Sequence, residues 1–326
     1  MTKNEELLAL VRYCFPTARS GREDVFRQVL DFSTVYSAEA EGKPVSMLLG
    51  LDYKVFWAGK IAAMTGVGLV ASYPEARGQG HIRQLMTEML ENEYEKGTEL
   101  SYLSPFSYQF YEKFGYEYTF DHKMYEIQMT DWPRGQFGKV ERLDFETILP
   151  EMKRIYEKEA AFGDVARTEL QWVYHFQTRY QPRFALTSNG EGYLIYEYKG
   201  SAFEILELVA LTETAKQQLY SFVAAHSSGF EKVIWRAPEN IRLEEEMPEP
   251  RRAKIQLQPD MMARIVNLKK FFELNGQPDF AVEISDPILP QNNGLYGPGG
   301  KPVKLTIGQF TAKILREKKA VLREDF

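Results

Sequence analysis

The stretch VASYPEARGQGHIRQLM (residues 70–86) joins an apolar run to a helical pattern through a turn that contains Gly78 and Gly80. The apolar run before it predicts a strand, and Pro74 ends this strand because proline donates no ladder hydrogen bond. After the turn, apolar residues recur at helical spacing, and Gly97 lies at the expected stop. The recurring apolar residues of this predicted helix (81–96) are Ile82, Leu85, Met86, Met89 and Leu90.

A strand, a glycine-rich turn and a helix together make a site for an anion. The first N–H groups of a helix lack internal partners, and the helix dipole favours negative charge there. Gly78 and Gly80 let a bound group approach the backbone, and Arg77 adds a positive donor. The P-loop pattern and the dinucleotide-binding GxGxxG with its acidic partner are missing. A purely structural turn explains the two glycines as well, so this stretch alone leaves both interpretations open.

Composition excludes several classes of function. The net charge of −6 argues against broad nucleic-acid binding, which needs basic surface. Cys14 is the one cysteine, and the four histidines show no HxxxH spacing, so we expect no disulfide within the chain and no metal site. No apolar run reaches the ~18 residues of a membrane span. The start lacks the apolar core of a signal peptide, so we expect a soluble cytoplasmic protein with no membrane partner.

The 326 residues are long for one domain, and two or three are expected. Linker-like composition at 131–138 and 242–250 predicts domains at 1–131, 139–245 and 250–326. Helical and strand patterns alternate in the first two, which indicates a mixed α+β class. The predicted helices are 3–14, 22–32, 81–96, 107–113, 146–162, 168–178, 212–226, 262–274 and a segment from 307. The predicted strands are 45–50, 52–57, 60–71, 100–104, 116–129, 183–187, 192–198, 203–210, 231–236 and 280–285.

Two long motifs carry a family resemblance. The stretch 70–86 is followed by LSPFSYQFYEKFGYE (103–117), and Arg77-x-x-Gly80-x-Ile82 resembles motif A of the GNAT N-acetyltransferases. Ile82 departs from the usual small residue, but the departure fits one branch. The two motifs, in this order and spacing, resemble the Eis (enhanced intracellular survival) type, whose signature is VAT-x-PE-x-RG-x-G-x-IR and then FY-x-KFGYE.

The resemblance extends over the whole chain and implies its fold. It implies a GNAT acetyltransferase domain with the cofactor site, a second GNAT-like domain without the cofactor motif, and a C-terminal sterol-carrier-like domain that is short here. It also implies acetyl-CoA as cofactor and a bulge in the strand before the glycine turn. The residues implied to bind the cofactor are Val70, Ala71 and Ser72 as oxyanion donors, Arg77, Gly78, Gln79, Gly80, His81, Ile82 and Arg83 at the phosphates, and Phe106 with Ser107 further along.

The resemblance also implies the catalytic groups. Tyr111 of the FY-x-KFGYE motif is the expected general acid, because a phenol with a pKa near ~10 stays protonated at neutral pH. Simple packing between neighbouring aromatic rings is the alternative for Tyr111, and Tyr108 and Tyr116 are lesser candidates. The expected general base is the C-terminal carboxylate of Phe326. The alternatives for this base are Asp325, Glu324 and, in structural terms, a frayed tail.

The acceptor is expected to be a primary amine: an aminoglycoside, a lysine side chain or a polyamine-like molecule. The resemblance further implies a homo-oligomer, with a hexamer as the family form. Two rival classes stay open. One is a GNAT protein that binds or senses coenzyme A without turnover. The other is a lipid carrier, which only the third domain suggests.

Overall fold

The computed structural model describes residues 2–16, 22–57, 59–178 and 180–324, with side chains to residue 317. Its internal contacts divide the chain into two compact units. Unit 1 comprises Met1–Phe120, Phe162–Tyr174 and Asp260–Phe326, and unit 2 comprises Asp121–Ala161 and His175–Pro259. The two units are defined by contacts within the chain, so the division into three domains stays a prediction.

Unit 1 holds the glycine turn, both motifs and the C-terminal portion of the chain. Its strands in chain order begin with β1 (Ser33–Ala40), β2 (Lys43–Trp57), β3 (Lys60–Ser72) and β4 (Leu100–Leu103). Its helices begin with α1 (Lys3–Cys14), α2 (Glu23–Leu30), α3 (His81–Lys96) and α4 (Tyr108–Glu112). Strand β5 (Glu117–Gln128) starts in unit 1 and continues in unit 2.

The central helix of unit 1 is the one that the sequence predicts most clearly. α3 has the predicted bounds, and its residues Leu85, Met86, Met89 and Leu90 are buried against the sheet. Gly97 closes the helix in the left-handed conformation at φ 83°. Because glycine has no Cβ, it adopts this conformation without the strain that other residues incur.

Unit 2 repeats the mixture of helix and sheet. Its strands lie in the order β5-β10-β9-β8-β7-β6, in which only β9 and β10 run parallel. The core contains Trp132, Trp235 and Tyr220. The remaining strands of this sheet are β6 (Val140–Leu143), β7 (Arg183–Thr187), β8 (Gly192–Lys199), β9 (Ala202–Ala210) and β10 (Lys232–Pro238). The helices between 145 and 224 are α5 (Phe145–Glu159), α6 (Glu169–Trp172, in unit 1) and α7 (Glu213–Ala224).

The C-terminal portion returns to unit 1. Strand β11 (Lys254–Ile265) pairs antiparallel with β4, from Met262 opposite Leu103 to Ile265 opposite Leu100. A small three-stranded sheet follows in the order β13-β12-β14. The elements of this portion after β11 are α8 (Leu268–Asn275), β12 (Val282–Ser285), β13 (Gly294–Tyr296), β14 (Val303–Thr306) and α9 (Ile307–Glu324).

The predicted mixed α+β class is confirmed, and two local predictions need correction. The predicted helix over 262–274 is wrong at its start, because residues up to Ile265 belong to β11 and the helix begins at Leu268. The two strands predicted over 45–57 form one strand, β2. Strand β1 was not predicted, since its sequence STVYSAEA has no strong apolar alternation. The predicted turn at Ala58–Gly59 includes Ala58, which lies outside the described residues.

Candidate active site

Two parallel strands separate at the centre of unit 1. β3 pairs with β4 through Met64–Leu100, Thr65–Ser101 and Gly66–Tyr102. β3 then continues to Ser72, and no further pair joins it to β4 in the described part of the chain. Residues 67–70 are accordingly only half-buried. Along the side of residues 67–72 that would face β4, named the cleft, backbone groups of β3 lack ladder partners in the described part of the chain.

A β-bulge lies in β3 at the edge of this cleft. Leu49 pairs with Gly68 and Met47 pairs with Ala71, so two steps on β2 match three steps on β3. Leu69 has φ 46°, an uncommon conformation for a residue with a side chain. A bulge leaves one residue out of the ladder and re-aims the backbone that follows. The backbone that follows here is that of Val70, Ala71 and Ser72.

The glycine turn leads from β3 into α3. Pro74–Ala76 form one turn of 3-10 helix, and Gly78 and Gly80 have φ of 78° and 85°. A Cβ added at either glycine would meet nothing within 4 Å. The backbone conformation therefore requires glycine, and open space lies beside both residues. The Gln79 side chain fixes the turn, because its Nε2 donates to the Glu75 carbonyl at 2.9 Å.

The N-terminus of α3 is suited to bind an anion. Gly80 is its N-cap and supplies no side-chain cap, and the first turn contains no acidic residue. The first N–H bonded to the Gly80 carbonyl is that of Gln84, at 3.0 Å, so the preceding amides have no helical acceptor. Arg77 and Arg83 are exposed on either side, and within the described residues neither forms an ion pair. Orphan amides, open space and two free guanidinium groups fit a pyrophosphate.

Side chains next to this terminus form a small polar network. The Ser46 hydroxyl lies 2.7 Å from the Ser72 hydroxyl and 3.4 Å from His81 Nδ1. Ser46 is fully buried, and the Cys14 thiol donates to the Ser72 carbonyl at 3.4 Å. The network connects the end of β3 to the start of α3. Ser46 was not among the predicted residues, and no motif marks it, because its role depends on strand pairing alone.

Tyr111 lies in α4, which follows β4. Ser107 caps this helix by accepting from the Phe110 N–H at 3.3 Å. Tyr111 is 3% exposed, and no hydrogen bond to its hydroxyl is found among the residues that the structure describes. Burial, and secondarily the neighbouring Tyr116, raise the pKa of Tyr111 well above the ordinary value for a phenol. The hydroxyl is therefore protonated throughout the neutral range.

One apolar cluster joins the predicted residues of the strand, the turn and the second motif. Val70 and Ile82 pack against the cluster that contains Tyr111. Phe106 is 71% exposed and contacts Tyr111 edge to face, with the ring centroids 5.4 Å apart. The structure thus brings together Val70, Ile82, Phe106 and Tyr111.

The lesser tyrosine candidates have other partners. The Tyr116 hydroxyl lies 2.6 Å from the Ser101 hydroxyl, which in turn donates to the Thr65 carbonyl at 2.9 Å. Tyr108 is half-buried, and its ring contacts Tyr118 at 5.9 Å between centroids. Among the residues that the structure describes, no hydrogen bond to the Tyr111 hydroxyl is found, and the ring contacts of Tyr111 stay within the cluster that contains Val70 and Ile82.

The predicted base lies outside the described residues. The described residues do not include Phe326 or Asp325, and the side chain of Glu324 is also not described. In the described part of the chain, no group of three or more His, Cys, Asp or Glu side chains is arranged to hold a metal ion. No described helix has the length and apolar character that crossing a membrane requires.

Comparisons with known proteins match both halves of the chain. One family profile, described as an acetyltransferase (GNAT) domain, matches residues 2–119. A second profile with the same description matches residues 163–265. Among curated proteins, no significant sequence match is found.

Solved structures resemble the chain along nearly its whole length. A conserved protein of unknown function from Enterococcus faecalis V583, described as a probable N-acyltransferase, is 32% identical (TM-score 0.87, covering 96% of this chain and 87% of that one). A GCN5-related N-acetyltransferase from Anabaena variabilis ATCC 29413 is 24% identical (TM-score 0.84, covering 95% and 87%). Eis1 from Mycobacterium abscessus is 17% identical (TM-score 0.79, covering 98% and 90%), which shows a shared fold.

The predicted pair of GNAT domains is confirmed, together with a small C-terminal three-stranded sheet. GNAT acetyltransferases typically use acetyl-CoA and an amine acceptor. The chain belongs to the GNAT acetyltransferase family and is an acyltransferase.

Proposed function

We propose that this chain is an Eis-type GNAT N-acetyltransferase that moves an acetyl group from acetyl-CoA onto a primary amine. The observation that carries the proposal is the uncapped N-terminus of α3 beside the cleft between β3 and β4. The motif order, 70–86 and then 103–117, supports the Eis type.

The cofactor's pyrophosphate is assigned to the start of α3. The amides from Gly78 to Arg83 and the guanidinium of Arg77 surround the open space there. The pantetheine arm would then follow the cleft along β3, where backbone groups lack strand partners. Phe106 and Ser107 are assigned to its far side.

Backbone amides after the bulge are assigned to the acetyl oxygen. This oxygen gains negative charge when the amine attacks, and preorganised N–H donors stabilise such charge most effectively in a dry site. Ala71 is buried and Val70 and Ser72 are half-buried, which supports a site with little water. The bulge takes Leu69 and Val70 out of the ladder with β2, whereas Ala71 and Ser72 pair again with Met47 and Ser46.

Tyr111 is assigned as the general acid. When the thioester bond breaks, sulfur leaves as a thiolate that benefits from a proton, and the Tyr111 hydroxyl has no competing acceptor in the described structure. Burial raises the pKa of Tyr111. The same apolar surroundings disfavour the thiolate as well, so the proton moves between two groups whose charged forms are both destabilised.

The C-terminal carboxylate of Phe326 is assigned as the base, with Asp325 and Glu324 as alternatives. α9 begins against the second motif, where a Cβ on Gly308 would lie 2.9 Å from the Gly115 carbonyl oxygen. An α-carboxylate with a pKa near ~3.5 is a weak base for an ammonium, so the amine must be desolvated or a water must relay the proton.

The path of α9 limits how this carboxylate acts. Arg316 Nη2 donates to the Tyr118 carbonyl at 2.7 Å, so α9 follows β5 away from Gly115. The eighteen residues of α9 span about 25 Å at the usual helical rise. The carboxylate reaches Tyr111 of its own chain only if the residues after Arg316 leave this path. Otherwise it takes the proton from the amine in the active site of another copy, in the homo-oligomer, a hexamer by family resemblance, that we also propose.

The acceptor is assigned only as a primary amine, with aminoglycosides, lysine side chains and polyamines as the classes to test. Acidic residues near the first helices are already engaged: Asp24 pairs with Arg22 at 2.5 Å, and Glu23 pairs with Arg27 at 2.6 Å. They therefore give no specific assignment of the acceptor.

Incubation with acetyl-CoA and a panel of these amines tests the proposal. Free thiol that appears in proportion to acetylated amine, identified by mass spectrometry, is the expected result. Binding of coenzyme A by calorimetry without thiol release for any amine would favour the binding or sensing alternative.

A further inference from the structure

A fully buried ion pair lies behind the second motif. Arg264 in β11 and Asp286 after β12 are both 0% exposed at their side chains, and Arg264 Nη2 lies 2.5 Å from Asp286 Oδ2. The Nη1 of Arg264 donates to the carbonyl of Phe114, within FYEKFGYE, and its Nε donates to the Ile265 carbonyl at 3.2 Å. Three nitrogens of one guanidinium therefore have three different acceptors.

Asp286 is itself held rigidly. Its Oδ1 accepts from the N–H groups of Ile288 and Leu289, each at 3.0 Å. Its Oδ2 accepts from Asn292 Nδ2 at 2.8 Å as well as from Arg264. With both oxygens engaged, the carboxylate holds Nη2, and the bonds from Nε to Ile265 and from Nη1 to Phe114 complete the orientation of the planar guanidinium.

The Phe114 carbonyl lies two residues beyond the last residue of the helix that carries Tyr111. The N–H of Phe114 donates to the Tyr111 carbonyl at 2.9 Å, and the N–H of Tyr116 approaches the same carbonyl at 3.4 Å. α4 has only five residues. A helix this short does not hold its own conformation, because nucleation costs more than its few hydrogen bonds return. A cation just beyond its C-terminus stabilises it, because the helix dipole is negative at that end.

The backbone after Phe114 is seated against the same part of the chain. Gly115 has φ 77°, and a Cβ there would lie 2.7 Å from Ile307 Cγ2 and 3.0 Å from Arg264 Nη1. Backbone therefore approaches Arg264 and the start of α9 as closely as a residue without a side chain allows. The C-terminal portion of unit 1 thus fixes the end of α4 from two directions.

We propose that Arg264, oriented by Asp286, is a positioning residue that holds α4 so that the Tyr111 hydroxyl faces the reacting sulfur. Arg264 itself touches no reacting atom. This inference rests on the proposed role of Tyr111 as general acid. It gives the small C-terminal portion of unit 1 a task in catalysis in addition to its packing.

The first test replaces the ion pair by apolar residues of similar size, Arg264→Met with Asp286→Leu. Such replacements are often neutral or stabilising, whereas removal of one partner leaves a buried charge. We expect a folded protein with an almost unchanged KM for acetyl-CoA, and a lower Tm because the N–H groups of Ile288 and Leu289 lose their acceptor. We expect kcat to fall by about 10²-fold, the effect of a misplacement of about 1 Å. An unchanged kcat in the folded double variant would overturn the inference.

Arg264→Lys is the second variant, in case the double variant does not fold. Lysine keeps the positive charge beside Asp286 but loses the fork that reaches Phe114. As in the double variant, we expect kcat to fall while the KM for acetyl-CoA stays unchanged. Arg154→Met is the matched control, because Arg154 also bonds a carboxylate, Glu151 at 2.7 Å, and a backbone carbonyl, that of Gly190, but belongs to unit 2. Its kcat should stay at the wild-type value.

The decisive comparison repeats the Arg264 variants in a Tyr111→Phe background. If Arg264 acts through Tyr111, its replacement lowers kcat in the wild-type background and has little further effect once the hydroxyl is gone. Equal losses in both backgrounds would mean that Arg264 supports the fold generally, and would overturn the inference. A wild-type kcat for Tyr111→Phe alone would overturn the proposed function as well.

Discussion

The rings of Phe106 and Tyr111 meet edge to face with their centroids 5.4 Å apart, although Phe106 is 71% exposed and Tyr111 is 3% exposed. A large apolar ring is thus left in solvent directly beside the buried tyrosine. Phe110 contacts both rings, at 5.2 Å and 5.0 Å between centroids. An exposed aromatic ring at the mouth of a cleft is a surface that a bound ligand would cover.

We therefore expect Phe106→Ala to weaken the binding of coenzyme A. Loss of a partly covered aromatic ring costs about 1 kcal/mol, or roughly a fivefold rise in Kd measured by calorimetry. Phe137→Ala is the matched control, because Phe137 is 97% exposed and belongs to unit 2. Equal affinities of the two variants would contradict the assignment of Phe106 to the cofactor site.

Gly80→Ala separates the two interpretations of the glycine turn. At φ 85° an alanine is strained by about 1 kcal/mol, and its methyl group would occupy the open space at the start of α3. Gly200→Ala is the control, since Gly200 has φ 60° and also has nothing within 4 Å of an added Cβ. We expect similar losses of unfolding free energy in both variants, with weaker binding of coenzyme A only in Gly80→Ala. Unchanged affinity would leave Gly80 as a structural turn.

The sequence predicted the parts of the site that depend on local chemistry. Gly78 and Gly80 indicated a turn, and α3 had the predicted bounds, because glycine and helical periodicity act within a few residues. The conformation of Leu69 could not be predicted from the sequence, because a leucine does not favour positive φ and the bulge arises from pairing with β2.

The same reason explains the main failure of the fold prediction. The sequence MMARIV was predicted to start a helix, but its residues up to Ile265 belong to β11. They form a strand because they pair with β4, and a local pattern cannot reveal a partner about 160 residues earlier in the chain. Arg264 was overlooked for this reason, as its contact with Phe114 spans 150 residues. An arginine inside an apolar run was the one available signal.

The free energy of unfolding should fall at high pH because the buried Tyr116 has a raised pKa. Burial raises the pKa of Tyr116 from 10.0 to about 12, with the charge of Arg264 and the Ser101 hydrogen bond opposing the shift. A raised folded-state pKa gives stability that is complete below pH ~10 and is lost as the pH rises towards ~12, by up to about 3 kcal/mol. Urea unfolding from pH 9 to 11 should show that the difference in unfolding free energy between wild type and Tyr116→Phe shrinks as the pH rises. A difference that stays constant with pH would contradict the raised pKa of Tyr116.

Extension of the C-terminus tests the proposed base. Two residues added after Phe326 move the carboxylate, and we expect kcat to fall by about 10²-fold or more, the usual contribution of a general base. The same two residues added before Met1 are the control. A rate that the C-terminal extension leaves unchanged would exclude the terminal carboxylate as base.

The most direct test of the account is the turnover of Tyr111→Phe with an amine that the wild-type protein acetylates. The phenylalanine keeps the ring contacts with Phe106 and Phe110 and removes only the hydroxyl. We predict a fall in kcat of about 10²-fold or more, measured as free-thiol release, with the Kd for coenzyme A unchanged. A wild-type kcat in this variant would contradict the assignment of Tyr111 as the proton donor.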